Sequence, residues 1–212
     1  MYGKLFWDDL YRAHLLDVPW MSDTHTQRHL NIITKYLVDV TGKTLLDYGC
    51  GNGRIAYHFY ELGAIVTLAD ISETLVNWLL KEYASTSIQV VTAATPFDIN
   101  HKEHSYDIVI AGALFHHIQP ELWYSFLIGF ADLLKPGGQM IISGWDESDV
   151  LFSKTNRAPY TNEPTWPINS LRSVIVSSGL YRIIDETQYD YTLPEFFYEH
   201  RVFRFFNLQR HF

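Results

Sequence analysis

A single cysteine, Cys50, stands among the 212 residues. That scarcity excludes an internal disulfide and any zinc site built on several thiolates. No run of about 18 apolar residues occurs, so no segment reads as a membrane-spanning helix. Internal repeats and low-complexity tracts are missing as well. Positive charge is in short supply: 16 Lys and Arg face 24 Asp and Glu, a formal charge of −8. Domains that live on phosphate backbones carry the opposite balance, because release of condensed counterions drives that binding. Nucleic acid is therefore not expected as a general partner. The start, Met1-Tyr2-Gly3-Lys4, runs into Trp7-Asp8-Asp9, whereas a signal peptide keeps acidic residues out of that region. The expectation is a soluble, reduced, cytoplasmic protein with no membrane association.

Apolar and aromatic material is plentiful. Hydrophobic residues make up 47 % of the chain, enough for a core, and the length suits one domain spanning 1–212. Aromatics reach 16 %, more than a core of this size needs. Many lie in the last third, where they suit a pocket wall or a dimer surface; monomer and homodimer both stay open.

Strand-like and helix-like runs alternate along the chain. Thr44-Leu45-Leu46, Ile65 to Leu68, Ile88 to Val91, Ile108-Val109-Ile110 and Met140-Ile141-Ile142 read as strands buried on both faces. Between them, Ile55, Phe59 and Leu62 share one helical face, and Gly63 stops that helix. Ser72 caps the next helix, with Ile71 and Val76 placed as a staple. Pro120 opens a third that turns Leu122, Phe126, Phe130 and Leu133 inward, and Pro136-Gly137-Gly138 stops it. Such units imply right-handed crossovers and a parallel sheet with helices on both faces. The end differs: a helix from Pro167 to Ser178 is followed by two strands, Tyr181 to Ile184 and Val202 to Phe206, with no helix between them. The last strand is therefore expected to be antiparallel. Two amphipathic helices, 4–17 and 24–39, precede the first strand as an appendage.

Asp47-Tyr48-Gly49-Cys50-Gly51-Asn52-Gly53 follows a strand and opens a helix, the setting of a nucleotide-cradling loop. A dinucleotide G-x-G-x-x-G would need glycine at 54, which is Arg54; that disfavours a nicotinamide dehydrogenase. Asp70 ends the second strand at a spacing suited to ribose hydroxyls. Together with Tyr106-Asp107-Ile108-Val109 and Leu133-Leu134-Lys135-Pro136-Gly137-Gly138, these residues resemble the class I S-adenosylmethionine-dependent methyltransferases of small-molecule type over about residues 25–145. The resemblance implies a Rossmann-like three-layer sandwich on a seven-stranded, mostly parallel sheet with an antiparallel last strand and an N-terminal helical lid. It divides the chain into a lid (1–40), a cofactor-binding core (41–145) and an acceptor-side part (146–212). It also implies S-adenosyl-L-methionine as cofactor and S-adenosyl-L-homocysteine as product. The cofactor would be held by Tyr11, Asp47, Gly49, Cys50, Gly51, Gly53, Asp70, Ile71, Ala93, Ala94 and Ala111. Relatives often carry an acid at the adenine corner; here Asp98 is the nearest substitute.

Ligands of open parallel sheets lie beyond the carboxyl ends of the strands, which places Gly112 to His117 and Gly144 to Glu147 around the methyl donor. His116 and His117 are candidate bases because imidazole titrates near neutrality, with His116 preferred and Asp146 and Glu147 next; packing or solvated loops are the structural alternatives. The end of the fourth strand, Ala111-Gly112-Ala113, lacks an acid to hold a metal, and His101 and His104 read as a polar turn. No metal is expected. Trp20, Trp145, Tyr160 and Trp166 are candidate acceptor contacts, with Phe152, Tyr189, Tyr191 and Phe196 nearby. Such walls suit a planar or amine small molecule. Trp7 and Tyr11 fit a lid or a buried helix face, and Arg28 a carboxylate or, rather, a solvated face. Other readings are a tRNA or protein methyltransferase, through Arg201, Arg204 and Arg210 against Glu199, and a non-catalytic subunit that binds the cofactor for a partner.

Overall fold

Leu45 and Leu46, Ile108, Val109 and Ile110, and Ile141 and Ile142 are consecutive and fully buried, a state open only to strands covered on both faces. The computed structural model, which describes residues 3–100, 104–148, 164–193 and 198–211, builds them into one sheet. Its strands are β1 (Thr44–Tyr48), β2 (Ile65–Asp70), β3 (Gln89–Thr92), β4 (Tyr106–Ala111), β5 (Leu134–Trp145), β6 (Tyr181–Leu193) and β7 (Tyr198–Arg210). They lie in the order β3-β2-β1-β4-β5-β7-β6. β1 to β5 are parallel, and β7 runs antiparallel to both β5 and β6. The seven strands and the antiparallel last one agree with the sequence reading.

Alternate residues of these strands feed two separate layers. Leu45, Ile108, Ile110 and Ile141 meet α2 (Asp23–Tyr36), α3 (Arg54–Glu61) and α4 (Glu73–Glu82) through Ile33, Phe59 and Leu79. Leu46, Val109, Met140 and Ile142 meet α5 (Pro120–Leu133) and α6 (Leu171–Ser178) through Trp123, Phe130 and Ile175. Each fully buried side chain of this kind contributes roughly 1.5–3 kcal/mol, so both layers are held chiefly by their strand contacts. The remaining helix, α1 (Lys4–His14), joins the first layer through Tyr11. Among the described residues no helix is long and apolar enough to cross a membrane.

Several boundaries differ from the sequence expectation. Leu62 is 50 % exposed and lies past the end of α3, whose inward face is Ala56 and Phe59. The α5 helix is over at Leu133, before Pro136-Gly137-Gly138; those residues belong to a bulge in β5, whose pairing with β4 jumps between Tyr106 and Ile108. A 3-10 turn, Ile168–Ser170, takes the first part of the expected Pro167–Ser178 helix, and Gly179 ends α6 at φ 65°. Ser72 does cap α4, its hydroxyl accepting from the Leu75 amide.

Parallel pairing gathers the carboxyl ends of β1 to β5 on one edge: Tyr48, Asp70, Thr92, Ala111 and Trp145. The order in which successive strands are added reverses between β1 and β4, and a crevice opens at such a switch point. The 3-10 turn Pro96–Asp98 flanks that edge and packs hard on α5. A Cβ at Gly129 would stand 2.8 Å from Pro96 Cβ and 3.2 Å from Phe97 Cζ. Gly129→Ala is therefore expected to destabilise by about 1–3 kcal/mol despite its better helix propensity. Thermal unfolding checks this: the midpoint should fall by roughly 2–10 °C.

Candidate cofactor and acceptor site

The loop after β1 turns on glycines in the left-handed region. Gly49 has φ 72°, and a Cβ there would stand 3.0 Å from Leu114 Cδ1. Gly53, at φ 73°, would meet Leu68 Cδ1 at 2.7 Å. Backbone is all that fits at either position. The Gly49 and Cys50 amides donate to the Ala69 carbonyl at 2.8 and 3.1 Å, stitching the loop to β2.

Two buried carboxylates flank this loop. Asp70 accepts from the Gly51 amide at 3.3 Å and the Ser72 amide at 3.0 Å. Burial still pushes its carboxyl up to about 6, those amides pulling it down only in part. Asp47 is 3 % exposed, and its Oδ2 is buried with no hydrogen-bond partner. Burial, and next the neighbouring Asp70 charge, push Asp47 up to about 7. Such a pair is unfavourable unless a cation or donor answers it. An ammonium or sulfonium group supplies that answer, and ribose hydroxyls suit Asp70. The residues present fit S-adenosylmethionine.

The other expected cofactor contacts line the same edge. Ala93 is buried, its amide donating to the Asp70 carbonyl at 2.9 Å, while Ile71 is half-buried and Ala94 exposed. Asp98 does stand at the adenine corner, but one of its oxygens is spent on its own turn: Oδ2 accepts from the Ala94 amide at 3.0 Å and the Thr95 amide at 2.7 Å. Ala111 is buried at the end of β4. Just beyond it, Ala113 takes φ 52°, held by its amide donating to Ser143 Oγ at 3.0 Å. Strain of this kind gathers at ligand sites. Sequence reading missed Ser143, a serine hidden among strand apolars with no motif to mark it.

Two straps hold the N-terminal helices against this crevice. The Asp8 carboxylate accepts from Ser72 Oγ at 2.7 Å and the Thr74 amide at 3.1 Å. Burial raises its carboxyl, but those bonds outweigh burial and keep it below the usual range. Lys4 adds an ion pair to Glu73. The second strap runs from Asn52 Nδ2 to the Met21 carbonyl at 3.0 Å, with Arg54 paired to Asp23. Met21 Cε lies 3.5 Å from a Cβ built on Gly51. Tyr11 is buried beneath Trp7, with ring centroids 6.2 Å apart, and accepts from Trp20 Nε1 at 3.4 Å. Met21 carried no recognisable sequence signal, and the specific bonds of Asp8 and Asn52 arise only when the helices dock.

On the acceptor side, His116 is 2 % exposed and stacked on Trp145, centroids 4.8 Å apart and nearly coplanar. His117 is half-buried and meets the edge of Trp7 at 5.2 Å. The Trp166 amide donates to the His116 carbonyl at 3.0 Å, so that half-buried indole is anchored beside the pair. Tyr160, Phe152 and Phe196 lie outside the described residues. Asp146 is a correction to the expected base: it is 1 % exposed and accepts from Arg204 Nε at 2.6 Å, Asn169 Nδ2 at 3.0 Å and Ser148 Oγ at 2.6 Å. Burial raises its carboxyl, yet the Ser148 and Arg204 bonds win and hold it below the usual range. Both oxygens are committed, so the group anchors β5 to β7.

Residues 45–138 match the family model described as a methyltransferase domain. The matched residues have the sequence pattern of a methyltransferase domain. It is 32 % identical over 110 residues to a ribosomal protein L11 methyltransferase of Wolinella succinogenes, covering 50 % of this chain and 37 % of that one. A ubiquinone biosynthesis O-methyltransferase of Coxiella burnetii is 27 % identical over 145 residues, with 64 % and 61 % covered. The chain thus spans less than two thirds of the length of these relatives. Among solved structures, the Burkholderia thailandensis 1,6-didemethyltoxoflavin-N1-methyltransferase, with its acceptor and S-adenosylhomocysteine bound, superposes with a TM-score of 0.70 at 20 % identity, over 98 % of this chain and 88 % of that one. That likeness shows the fold.

In the matched segment Asp47 is charged at a cost. Its usual value near 3.8 rises to about 7 on folding, so its ionised form weighs on stability increasingly as pH climbs from about 4 through 7. Asp47→Asn is expected to raise the unfolding midpoint at pH 8 by several degrees, a gain that shrinks toward pH 5, while lowering affinity for S-adenosylmethionine at least tenfold. Differential scanning fluorimetry and calorimetry read the two effects. Asp146→Asn breaks a buried pair and should destabilise by about 3 kcal/mol, with S-adenosylhomocysteine affinity unchanged in the same calorimetric titration.

Proposed function

We propose that the protein is an S-adenosylmethionine-dependent methyltransferase acting on oxygen, nitrogen or sulfur of a small molecule. One observation carries the reading: Asp47, buried with an unpartnered oxygen beside Asp70, faces a glycine loop inside a chain matched to the methyltransferase domain. When bound, the cofactor supplies a methyl group already activated on a sulfonium. The chain then has little covalent work to do beyond orienting the acceptor, excluding water and taking a proton where the acceptor carries one. Asp70 holds hydroxyls, and Asp47 answers positive charge. Tyr11, Trp20 and Met21 close the crevice against water. His117, half-buried and facing the lid, is the better placed proton acceptor; buried His116 packs it against Trp145. β4 ends at Ala111 and is followed by Gly112-Ala113, a stretch without an acid to hold a metal.

A small acceptor is favoured over RNA by where the arginines go. Arg204 pairs with Asp146 and Glu186, and Arg210 donates to the Leu134 carbonyl. These cations are spent inside the fold, and no basic strip forms from them for counterion release. The names of the Coxiella relative and the Burkholderia structure point to small acceptors as well, although the Wolinella relative is named for a ribosomal protein. Isothermal titration tests the reading. S-adenosylmethionine and S-adenosylhomocysteine should both bind, NAD should not, and Asp70→Ala should weaken both by about 10- to 100-fold, in line with lost charge-assisted hydrogen bonds. Binding of NAD without either adenosyl compound would overturn it.

A further inference from the structure

Beyond β4 the chain makes a turn that its residue types do not favour. Ala113 takes φ 52°, and in the left-handed region a Cβ crowds the following carbonyl oxygen. Something outside the turn has to hold it there. Ser143 supplies that hold: its Oγ accepts from the Ala113 amide at 3.0 Å. The serine is fully buried on β5, so water does not compete for the bond. The two residues after it serve the same segment. A Cβ on Gly144 would stand 2.8 Å from Ile168 Cγ2 and 3.1 Å from His116 Nδ1, so the position has room for glycine alone, and Trp145 stacks on the His116 ring. Three consecutive residues of β5 thus fix the chain between Ala113 and His116.

The turn carries groups on both sides of the site. Leu114 comes next, and its Cδ1 lies 3.0 Å from the position of a Cβ on Gly49, directly against the glycine loop. The Leu114 carbonyl accepts from the His117 amide at 2.9 Å. That bond starts the 3-10 turn Phe115–His117, which sets His117 against the edge of Trp7. We propose that Ser143 is a positioning residue: its hydroxyl holds the strained turn at Ala113, and through that turn it sets Leu114 against the cofactor loop and His117 against the lid. The proposal rests on the methyltransferase reading above and adds to it a residue that acts through others. Without the bond, Ala113 relaxes to negative φ, and a backbone rotation there moves Leu114 and His117 together.

The test compares wild type, Ser143→Ala and the double variant Ser143→Ala/Ala113→Gly, each titrated with S-adenosylhomocysteine in a calorimeter. Ser143→Ala should weaken binding about tenfold, the scale of left-handed strain in a residue with a Cβ. The double variant should return to within about threefold of wild type, because glycine takes φ 52° with no hydrogen bond to hold it. The imidazole ¹⁵N signals of His117 should move in Ser143→Ala and return in the double variant. A role confined to core stability would lower the unfolding midpoint and leave affinity and the His117 signals in place; that result overturns the proposal, as does a loss of affinity that glycine does not repair. Hydrogen exchange checks the wild type alone: the Ala113 amide should be protected at least about 100-fold. Unprotected exchange overturns the proposal even if Ser143→Ala does not fold. Failure of wild type to bind S-adenosylhomocysteine, with the His117 signals still following both substitutions, would instead overturn the methyltransferase reading and leave the hold of Ser143 on the turn standing.

Discussion

Two carboxylates buried side by side, Asp47 and Asp70, are the constraint around which the carboxyl edge of the sheet is arranged. Each is held above its ordinary range by burial, and together they make that edge costly to fold. The glycines are what make the pair useful. Gly49 and Gly51 leave bare backbone beside the carboxylates, and the Gly51 amide is itself a donor to Asp70. A side chain at Gly49 would run into Leu114 and cover the charge the loop exists to present. A fold that carries uncompensated negative charge at one edge is poised for a cationic ligand, whose binding returns the energy spent in folding.

The lid is tied to the same constraint. Asp8 accepts from Ser72 Oγ while Asp70 accepts from the Ser72 amide, so one serine connects the helix that covers the crevice to the carboxylate inside it. Ser72 also caps α4, which fixes its position with a rigid element. On the other strap, Asn52 belongs to the glycine loop and holds the Met21 carbonyl. Both straps thus end beside residues expected to hold the cofactor: Ser72 next to Asp70 and Ile71, and Asn52 between Gly51 and Gly53. The N-terminal helices are joined to the glycine loop and to the end of β2 by direct hydrogen bonds.

Much of the architecture was legible because it depends on local pattern. Unalternating β-branched runs announced the parallel strands, the two strands without an intervening helix announced the antiparallel end, and the Asp47–Gly53 loop with Asp70 announced the cofactor edge. Errors fell where long-range packing overrides local signal. Leu62 fits a helical face by spacing, but Gly63 turns the chain at φ 91° and leaves Leu62 outside. Asp146 resembles a loop carboxylate in sequence, and only the pairing of β5 with β7 brings Arg204, 58 positions away, onto it. Arg28 reads as a solvated helix face because nothing local shows that β7 packs over α2 through Phe203 and His29.

The two histidine pairs illustrate why residue type alone cannot assign chemistry. His116 and His117 follow the fourth strand, where a base is wanted, and yet their adjacency splits their environments. His116 is sandwiched on Trp145 and built into the core, whereas His117 keeps an edge toward the lid. A proton acceptor must exchange its proton, and the half-buried ring meets that need better than the enclosed one. His25 and His29 repeat the division one helical turn apart on α2. There the carbonyl of the first, 3.2 Å from Nδ1 of the second, fixes the tautomer of a buried ring. Spacing of four residues produces that relation only on a helix, so the conformation of α2, which starts at the Ser22 cap whose hydroxyl accepts from the His25 amide at 3.2 Å, decides which nitrogen of His29 carries the proton.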